Sequence, residues 1–246
     1  MGRREALSVS SGWTPADLRP AAWYYADSAY VTLSGSSVTA FADRSGNGNT
    51  LGQVTPALYP QWDTTGWGGR KPAIYMSGGQ SLSANDGSVL NGVNGLNVPM
   101  GVLATYMLPT AADHESAICS WVGGVAQMVA QTSSGTPTRL VFSRTDDAGS
   151  SVTRTGSVTI PLDAHQRAMF LFTGSTINAY VGSALDISAS ASLAGPSAYT
   201  LFRVGDGPGG SDAADMWLTE LVVVVGRVPS AAEALAYYAY SLAEWG

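Results

Sequence analysis

The sequence is poor in charge, in lysine, in histidine and above all in cysteine. Its 246 residues include a single cysteine, Cys119, so no internal disulfide braces the fold. The flanking AICSWV suits a buried, inert thiol better than a nucleophile. Charged residues make up 12 % of the chain, about half the roughly 25 % usual in soluble domains. Much of the surface must therefore be Ser, Thr, Gly, Asn and Ala. Lys71 is the only lysine, and basic residues never run beyond a pair. With a net charge of -6 and a pI near 4.7 the chain repels a phosphate backbone, which argues against a nucleic-acid partner. No apolar run approaches the ~20 residues of a membrane-spanning helix, so membrane insertion is not expected. The opening MGRREALSVSSG has two arginines but no apolar stretch behind them, and so does not read as a secretory signal; synthesis in a cytoplasm is the expectation. His114 and His165 are the only histidines, and neither lies in a serine- or cysteine-hydrolase signature.

What is present is turn chemistry and short apolar runs. The 29 glycines and 12 prolines are scattered between AAWYYAD, SVTAFAD, PAIYMS, GVLATYML, AICSWV, AQMVAQ, TRLVFSR, SVTIPL, AMFLFT, INAYVG, YTLFRVG and MWLTELVVVV. Strands at this spacing describe an all-β sandwich or barrel, and the length suits one such domain. Ser77-Gly78-Gly79 and Thr173-Gly174-Ser175 have the form of hairpin turns, predicting antiparallel neighbours on either side of each. MWLTELVVVV is apolar enough to be central, with both faces covered, and Glu220 inside it then needs a partner. One helix is predicted, at the C-terminal end. There Ser230 and Glu233 form a capping box after Pro229, and Leu235, Tyr238, Leu242 and Trp245 recur at helical spacing as the stripe expected to pack on the sandwich. Residues 1 to about 20 read as a polar arm holding one helical turn, with Thr14 as cap, Pro15 in the first position and Asp17 in the first turn.

Two segments carry a family resemblance. Ser37-Val38-Thr39-Ala40-Phe41-Ala42-Asp43-Arg44-Ser45-Gly46-Asn47-Gly48-Asn49, following the aromatic run at Trp23, resembles an opening "V-x-x-W-x-D-x-S-G-N-G-N" motif with Phe41 in place of tryptophan. Glu220 to Glu233, continuing to Trp245-Gly246, resembles a closing strand, a capped helix and a terminal aromatic-Gly. Between them, Lys71 to Leu82 is similar to a "P-x-x-x-F-x-G-x-x-x-L" segment, and Arg203-Val204-Gly205-Asp206 stands where a short strand end is expected. Together these resemble the LamG-like branch of the concanavalin A-like lectin/glucanase superfamily. The resemblance implies an antiparallel jelly-roll β-sandwich over residues 21–246 with a short C-terminal helix. Such domains are frequent in bacteriophage virions. The first function implied is therefore a non-enzymatic virion component, a head decoration, head fibre or tail accessory, with capsid or tail subunits or a second copy of the chain as partners. The alternative is a carbohydrate-binding adhesion module recognising a host-surface glycan, and the third is a glucanase-type hydrolase.

The residues weigh against the third. Glucanases of that superfamily place clustered carboxylates on one strand, because hydrolysis needs an acid and a base or nucleophile flanking one bond. Here the glutamates are Glu5, Glu115, Glu220, Glu233 and Glu244, and the nearest approach to a cluster, Asp113-His114-Glu115, reads as a solvated loop. The loop Asp43–Asn49 lacks the ending of a P-loop and the closing glutamate of an EF-hand. It reads as a compact turn, while the resemblance makes Asp43, Asn47 and Asn49 candidate calcium ligands. Gly207 to Asp212 holds no nucleophile elbow. Tyr59, Trp62 and Trp67, in a turn-rich stretch, are candidates for stacking on sugars, or else plug an end of the sandwich. In the arm, Arg3, Arg4 and Trp13 are candidates for ordering against a neighbouring subunit.

Overall fold

The protein is described by a computed structural model covering residues 12–66, 71–84, 98–109, 116–123, 126–133, 138–193, 199–206 and 215–246. In chain order the strands are β1 Ala22–Tyr25, β2 Val31–Ser34, β3 Ser37–Phe41, β4 Leu51–Gly52, β5 Gln61–Asp63, β6 Ala73–Met76, β7 Leu82–Ala84, β8 Met100–Met107, β9 Ser116–Gly123, β10 Ala126–Thr132, β11 Leu140–Thr145, β12 Ser151–Thr155, β13 Gln166–Phe172, β14 Thr176–Val181, β15 Ala184–Ser190, β16 Leu201–Val204 and β17 Met216–Val225. One helix, α1 Ala231–Trp245, follows. All pairings are antiparallel. The first sheet runs β17, β8, β13, β14, β15, and the free side of β17 is shared by β6, opposite Met216–Leu218, and β1, opposite Glu220–Val223. The second runs β3, β4, β7, β16, β9, β10, β11, β12, with β2 folded back on β3. Strand β5 pairs with β6 and meets β3 through Gln61 and Ser37, joining the sheets at one side. The result is the antiparallel β-sandwich with a C-terminal helix that the sequence implies.

Alternation along the central strands sorts side chains into two cores. Val102, Ala104 and Tyr106 of β8, Phe170 and Phe172 of β13, and Leu221 and Val223 of β17 point between the sheets, against Trp121 of β9, Phe142 of β11 and Phe202 of β16. Leu103, Met169, Leu171, Val222 and Val224 point the other way and are buried beneath α1 with Leu18, Trp23, Ala234 and Tyr237. A bulge between Leu218 and Glu220 resets the phase of β17. It lets Met216 and Leu218 share the inter-sheet core with Leu221 and Val223. MWLTELVVVV is thus central and covered on both faces, as its composition predicts.

Four sequence expectations are corrected. Ser77-Gly78-Gly79 is not a hairpin: β6 belongs to the first sheet and β7 to the second. Gly78 and Gly79, with φ of 58° and 85°, turn the chain across the sandwich, because Met76 and Leu82 both bury in the core that lies between the layers. SVTIPL forms no strand. The edge strand is the preceding SVTRT, whose side chains stay largely in solvent, while Ile160 alone of the apolar run is driven to 1 % exposure. The capping box of α1 forms as expected, with Glu233 N donating to Ser230 Oγ at 3.2 Å and Ser230 N to Glu233 Oε2 at 2.7 Å. The face it buries is a different one. Ala234, Tyr237, Ser241 and Trp245 face the sheet, whereas Leu235 and Leu242 are 38 % and 47 % exposed. Small Ala234 lets the helix approach closely, and polar groups beneath it need partners. Ser241 Oγ meets Thr105 Oγ1 at 2.6 Å and accepts from Arg167 Nε at 3.1 Å, and Tyr237 OH meets Thr105 at 3.1 Å. Last, the described part of the arm packs on its own domain. Thr14 and Asp17 cap a 3-10 turn at Pro15–Leu18, Leu18 is fully buried, and Trp13 lies edge-on to Tyr240 with ring centroids 6.0 Å apart. Arg3 and Arg4 lie outside the described residues.

Candidate functional site

Helix α1 packs over the middle of the first sheet, on β8, β13 and the second half of β17, and none of its buried residues lies against the row where β5, β6 and the start of β17 meet. In β6, Ile74 and Met76 face the inter-sheet core, so Tyr75 between them faces out. In β17, Met216 and Leu218 face in and Trp217 faces out. Tyr75 and Trp217 are direct cross-strand partners, and their rings stack with centroids 4.4 Å apart and planes 30° apart. Both are partly exposed. Strand β5 extends the row. Its Trp62 packs on the inter-sheet core, so Gln61 and Asp63 turn outward, Gln61 opposite Tyr75.

Two carboxylates bracket the ring pair. Tyr75 OH donates to Asp215 Oδ1 at 2.8 Å, and Trp217 Nε1 donates to Asp63 Oδ2 at 3.3 Å. Asp63 is itself fixed, because its Oδ1 accepts from Thr65 N at 3.0 Å, Thr65 Oγ1 at 2.9 Å and Gly66 N at 3.0 Å. Partial burial, and then the bond to Asp215, raise the Tyr75 phenol above its ordinary value, so it stays a neutral donor. The row therefore offers pre-oriented apolar ring surface next to hydrogen-bond acceptors. That combination suits a ligand with C–H faces and hydroxyl edges.

Beside this shelf lies a second aromatic group under the end of α1. Glu220, fully buried, accepts from Trp23 Nε1 at 2.9 Å and from Tyr240 OH at 3.2 Å, which supplies the partner its sequence position calls for. Burial pushes its carboxyl up to about 7, against the downward pull of those donors. Tyr25 stacks obliquely on Trp245, with centroids 5.1 Å apart. Glu244 accepts from Tyr25 OH and pairs with Lys71 Nζ at 2.6 Å.

The remaining sequence candidates are dispersed. Trp62 is half-buried against the core, Tyr59 ends a 3-10 turn at Pro56–Leu58, and Trp67 lies outside the described residues, as does Asp113-His114-Glu115. Asp43 is saturated by donors of its own loop and of β1. Its Oδ1 accepts from Trp23 N at 3.0 Å and Ser45 N at 2.8 Å, and its Oδ2 from Ser45 Oγ at 2.8 Å and Asn49 N at 3.1 Å. Asn47 and Asn49 turn amide nitrogens toward Ala21 O, at 3.2 Å and 2.7 Å. These residues do not fit a calcium ion, which needs convergent oxygens free to bind it; they staple the loop to the start of β1. Asp43→Ala is expected to lower Tm by roughly 4–8 °C, as about 2 kcal/mol of charge-assisted bonding is lost. The loss should be equal in excess calcium and in excess chelator. A calcium-dependent rise in the parent's Tm that vanishes in the variant would return the loop to metal binding.

The shelf was legible only in part. The segment around Trp62 stands out by its aromatics, yet the residues it turns outward are Gln61 and Asp63, and Trp217 is concealed inside the most apolar run of the chain.

No family model matches the sequence, and no curated protein matches it. Solved structures match the fold. The binding domain of botulinum neurotoxin serotype G superposes with a TM-score of 0.68 at 12 % identity, over 90 % of this chain and 51 % of that domain. The binding domain of Paraclostridial Mosquitocidal Protein 1 gives 0.65 at 13 % identity, over 92 % of this chain and 53 % of that one. This chain thus spans about half the length of both. Domain 4 of AbnA, an extracellular GH43 arabinanase from Geobacillus stearothermophilus, solved in complex with arabinotriose, gives 0.61 at 15 % identity, over 89 % of this chain and 98 % of that domain. At these identities the likeness is one of fold. The matched part of each shares this β-sandwich fold.

Proposed function

We propose that this chain is a non-catalytic carbohydrate-binding module and that the shelf formed by Tyr75 and Trp217 is where the glycan lies. The observation that carries the reading is the stacked ring pair, left uncovered by α1 and bracketed by Asp63 and Asp215. Sugar rings present C–H faces that stack on aromatics and hydroxyls that donate to carboxylates. The fold neighbours support it: two are binding domains, and the third is a domain of a polysaccharide-degrading enzyme, solved with a trisaccharide. Both shelf carboxylates are engaged by neighbouring ring donors, an arrangement for holding a ligand rather than for acid–base turnover. Of the functions drawn from the sequence, this is the second. The first, a virion component, rests on the sequence resemblance alone, since none of the three structures above is a virion protein.

The test is titration calorimetry against a panel of plant and bacterial oligosaccharides, arabinotriose included. Saturable binding is expected, weakened tenfold or more by Trp217→Ala, since truncating a central aromatic anchor commonly removes that much. Trp62→Phe, which alters the core side of β5, should leave affinity within about twofold. Absence of saturable binding, or equal losses in the two variants, overturns the assignment.

A further inference from the structure

On the shelf's side of the first sheet stands a cation that aromatic rings hold in place and to which no acceptor among the described residues is hydrogen-bonded. Arg44 follows Asp43 in the stapled loop, and its backbone N donates to Trp23 O at 2.7 Å. Its guanidinium carbon sits 4.2 Å from the ring centroid of Trp23, 4.9 Å from that of Tyr25 and 5.4 Å from that of Tyr30. Three rings therefore fix the guanidinium over their faces, an attraction that leaves its N–H edges unspent. The side chain is exposed, and among the described residues no carboxylate or carbonyl accepts from it. The nearby acid, Glu244, feels the Arg44 charge, which helps to lower its carboxyl, but its hydrogen bonds go to Lys71 and Tyr25, and Glu220 lies beneath, bonded to the Nε1 of the same Trp23.

The sheet register places Arg44 and the shelf on one surface. Strands β6 and β1 follow one another along the same side of β17, where Tyr75 is opposite Trp217 and Tyr25 opposite Glu220. Tyr25 is three residues along β17 from the shelf and Trp23, the ring nearest Arg44, five, which is roughly 10 Å and 16 Å at the rise of a strand, a span that an oligosaccharide can bridge. Beside Tyr25 stand Trp245, with its ring on Tyr25, and Lys71, whose Nζ is 5.1 Å from the Trp245 centroid.

We infer that Arg44 reads a carboxylate on the bound glycan, so that the module selects an acidic saccharide, one carrying a uronate or a similar sugar acid. The inference rests on the glycan-binding reading above and adds the class of ligand. A planar fork with free parallel N–H groups matches a carboxylate in a bidentate manner. Pre-fixing by the rings removes much of the entropy that a mobile surface arginine loses on binding. On a chain of net charge -6 an acidic glycan is not drawn in by the overall field, so selection must come from a local, directed contact such as this.

The experiment compares matched pairs: oligogalacturonate, oligomannuronate and sialyllactose, each against its carboxyl-reduced form, by calorimetry at low and at physiological salt. At least one acidic member is expected to bind about tenfold more tightly than its reduced form, and the ratio should shrink as salt screens the exposed charge. Arg44→Gln should bring the ratio to about one. Arg44→Lys, which keeps charge but not the fork, should leave it between those values. Equal affinities within every pair, or a ratio that survives Arg44→Gln, overturns the inference while leaving the shelf intact. If no sugar binds in either form, the glycan-binding reading itself fails, and this one with it. Circular-dichroism melting of each variant separates loss of contact from loss of fold.

Discussion

Ala234→Asp is expected to lower Tm by roughly 6–12 °C, while Leu235→Asp, one residue along the same helix, should leave it within about 2 °C. Ala234 is 2 % exposed and packs among Leu103, Met169, Val222 and Val224 on the covered face of the first sheet. The nearest basic groups are already engaged, Arg227 by Glu233 and Leu18 O and Arg167 by Ser241. A carboxylate placed there is desolvated without a partner, which costs on the order of 3 kcal/mol, and a chain of this size loses about 2–4 °C per kcal/mol. Leu235 is 38 % exposed, and an acid early in a helix is mildly favoured by its dipole. The measurement is thermal melting followed by circular dichroism. Equal Tm values, or a larger loss at 235, would mean that α1 is docked in the orientation its apolar pattern suggests and not in the one described here.

The second large effect concerns pH. Burial raises the Glu220 carboxyl from an ordinary 4.5 to about 7, so folding favours its protonated form. The stability this group contributes is therefore complete below about pH 4.5, declines as pH rises and is gone above about 7. A rise of that size corresponds to roughly 3 kcal/mol. Glu233 and Glu244, whose carboxyls are lowered, act in the opposite sense and only as pH falls through the acid range; the two histidines are common to parent and Glu220→Gln, so the difference between those two profiles from pH 4.5 to 7 reports Glu220. In Glu220→Gln, the amide oxygen can still accept from Trp23 and Tyr240, and the uncharged nitrogen replaces Oε2, which lies near Trp245 and Tyr237 but makes no hydrogen bond of normal geometry among the described residues. The variant should match the parent near pH 4 and exceed it by up to about 3 kcal/mol at pH 8, with a flatter profile of Tm against pH between them. A parent and a variant with parallel profiles would show that Glu220 does not titrate in that window.

The contrast between positions 234 and 235 also shows where reading a sequence stops. Apolar residues of YYAYSLAEW fall on more than one helical face, and periodicity favours the stripe containing two leucines. The helix instead turns Tyr237 and Ser241 inward, because Thr105 and Arg167 beneath it need hydrogen-bond partners, and those residues are over a hundred and about seventy positions away. The same reason concealed the shelf. Trp217 looks like one more apolar residue of β17 until the pairing with Tyr75 and the bulge after Leu218 show which side it takes.

By itself the sequence determined the all-β class, the central, doubly covered MWLTELVVVV, the capped C-terminal helix with its boundary at Ser230, and the turn at Asp43–Asn49. Each follows from local causes: alternation, β-branched composition, a capping box, and side chains that bond their own backbone. It missed the polar edge strands β12 and β15, whose residues alternate in exposure but carry little apolar signal. It also mistook the Ser77–Gly79 turn for a hairpin. Only the tertiary structure decided which sheet each strand joins, which face α1 buries, and which aromatics meet on one surface. Those outcomes depend on partners remote in the chain, and a turn such as Ser77–Gly79 is compatible with either layer until the burial of Met76 and Leu82 selects one.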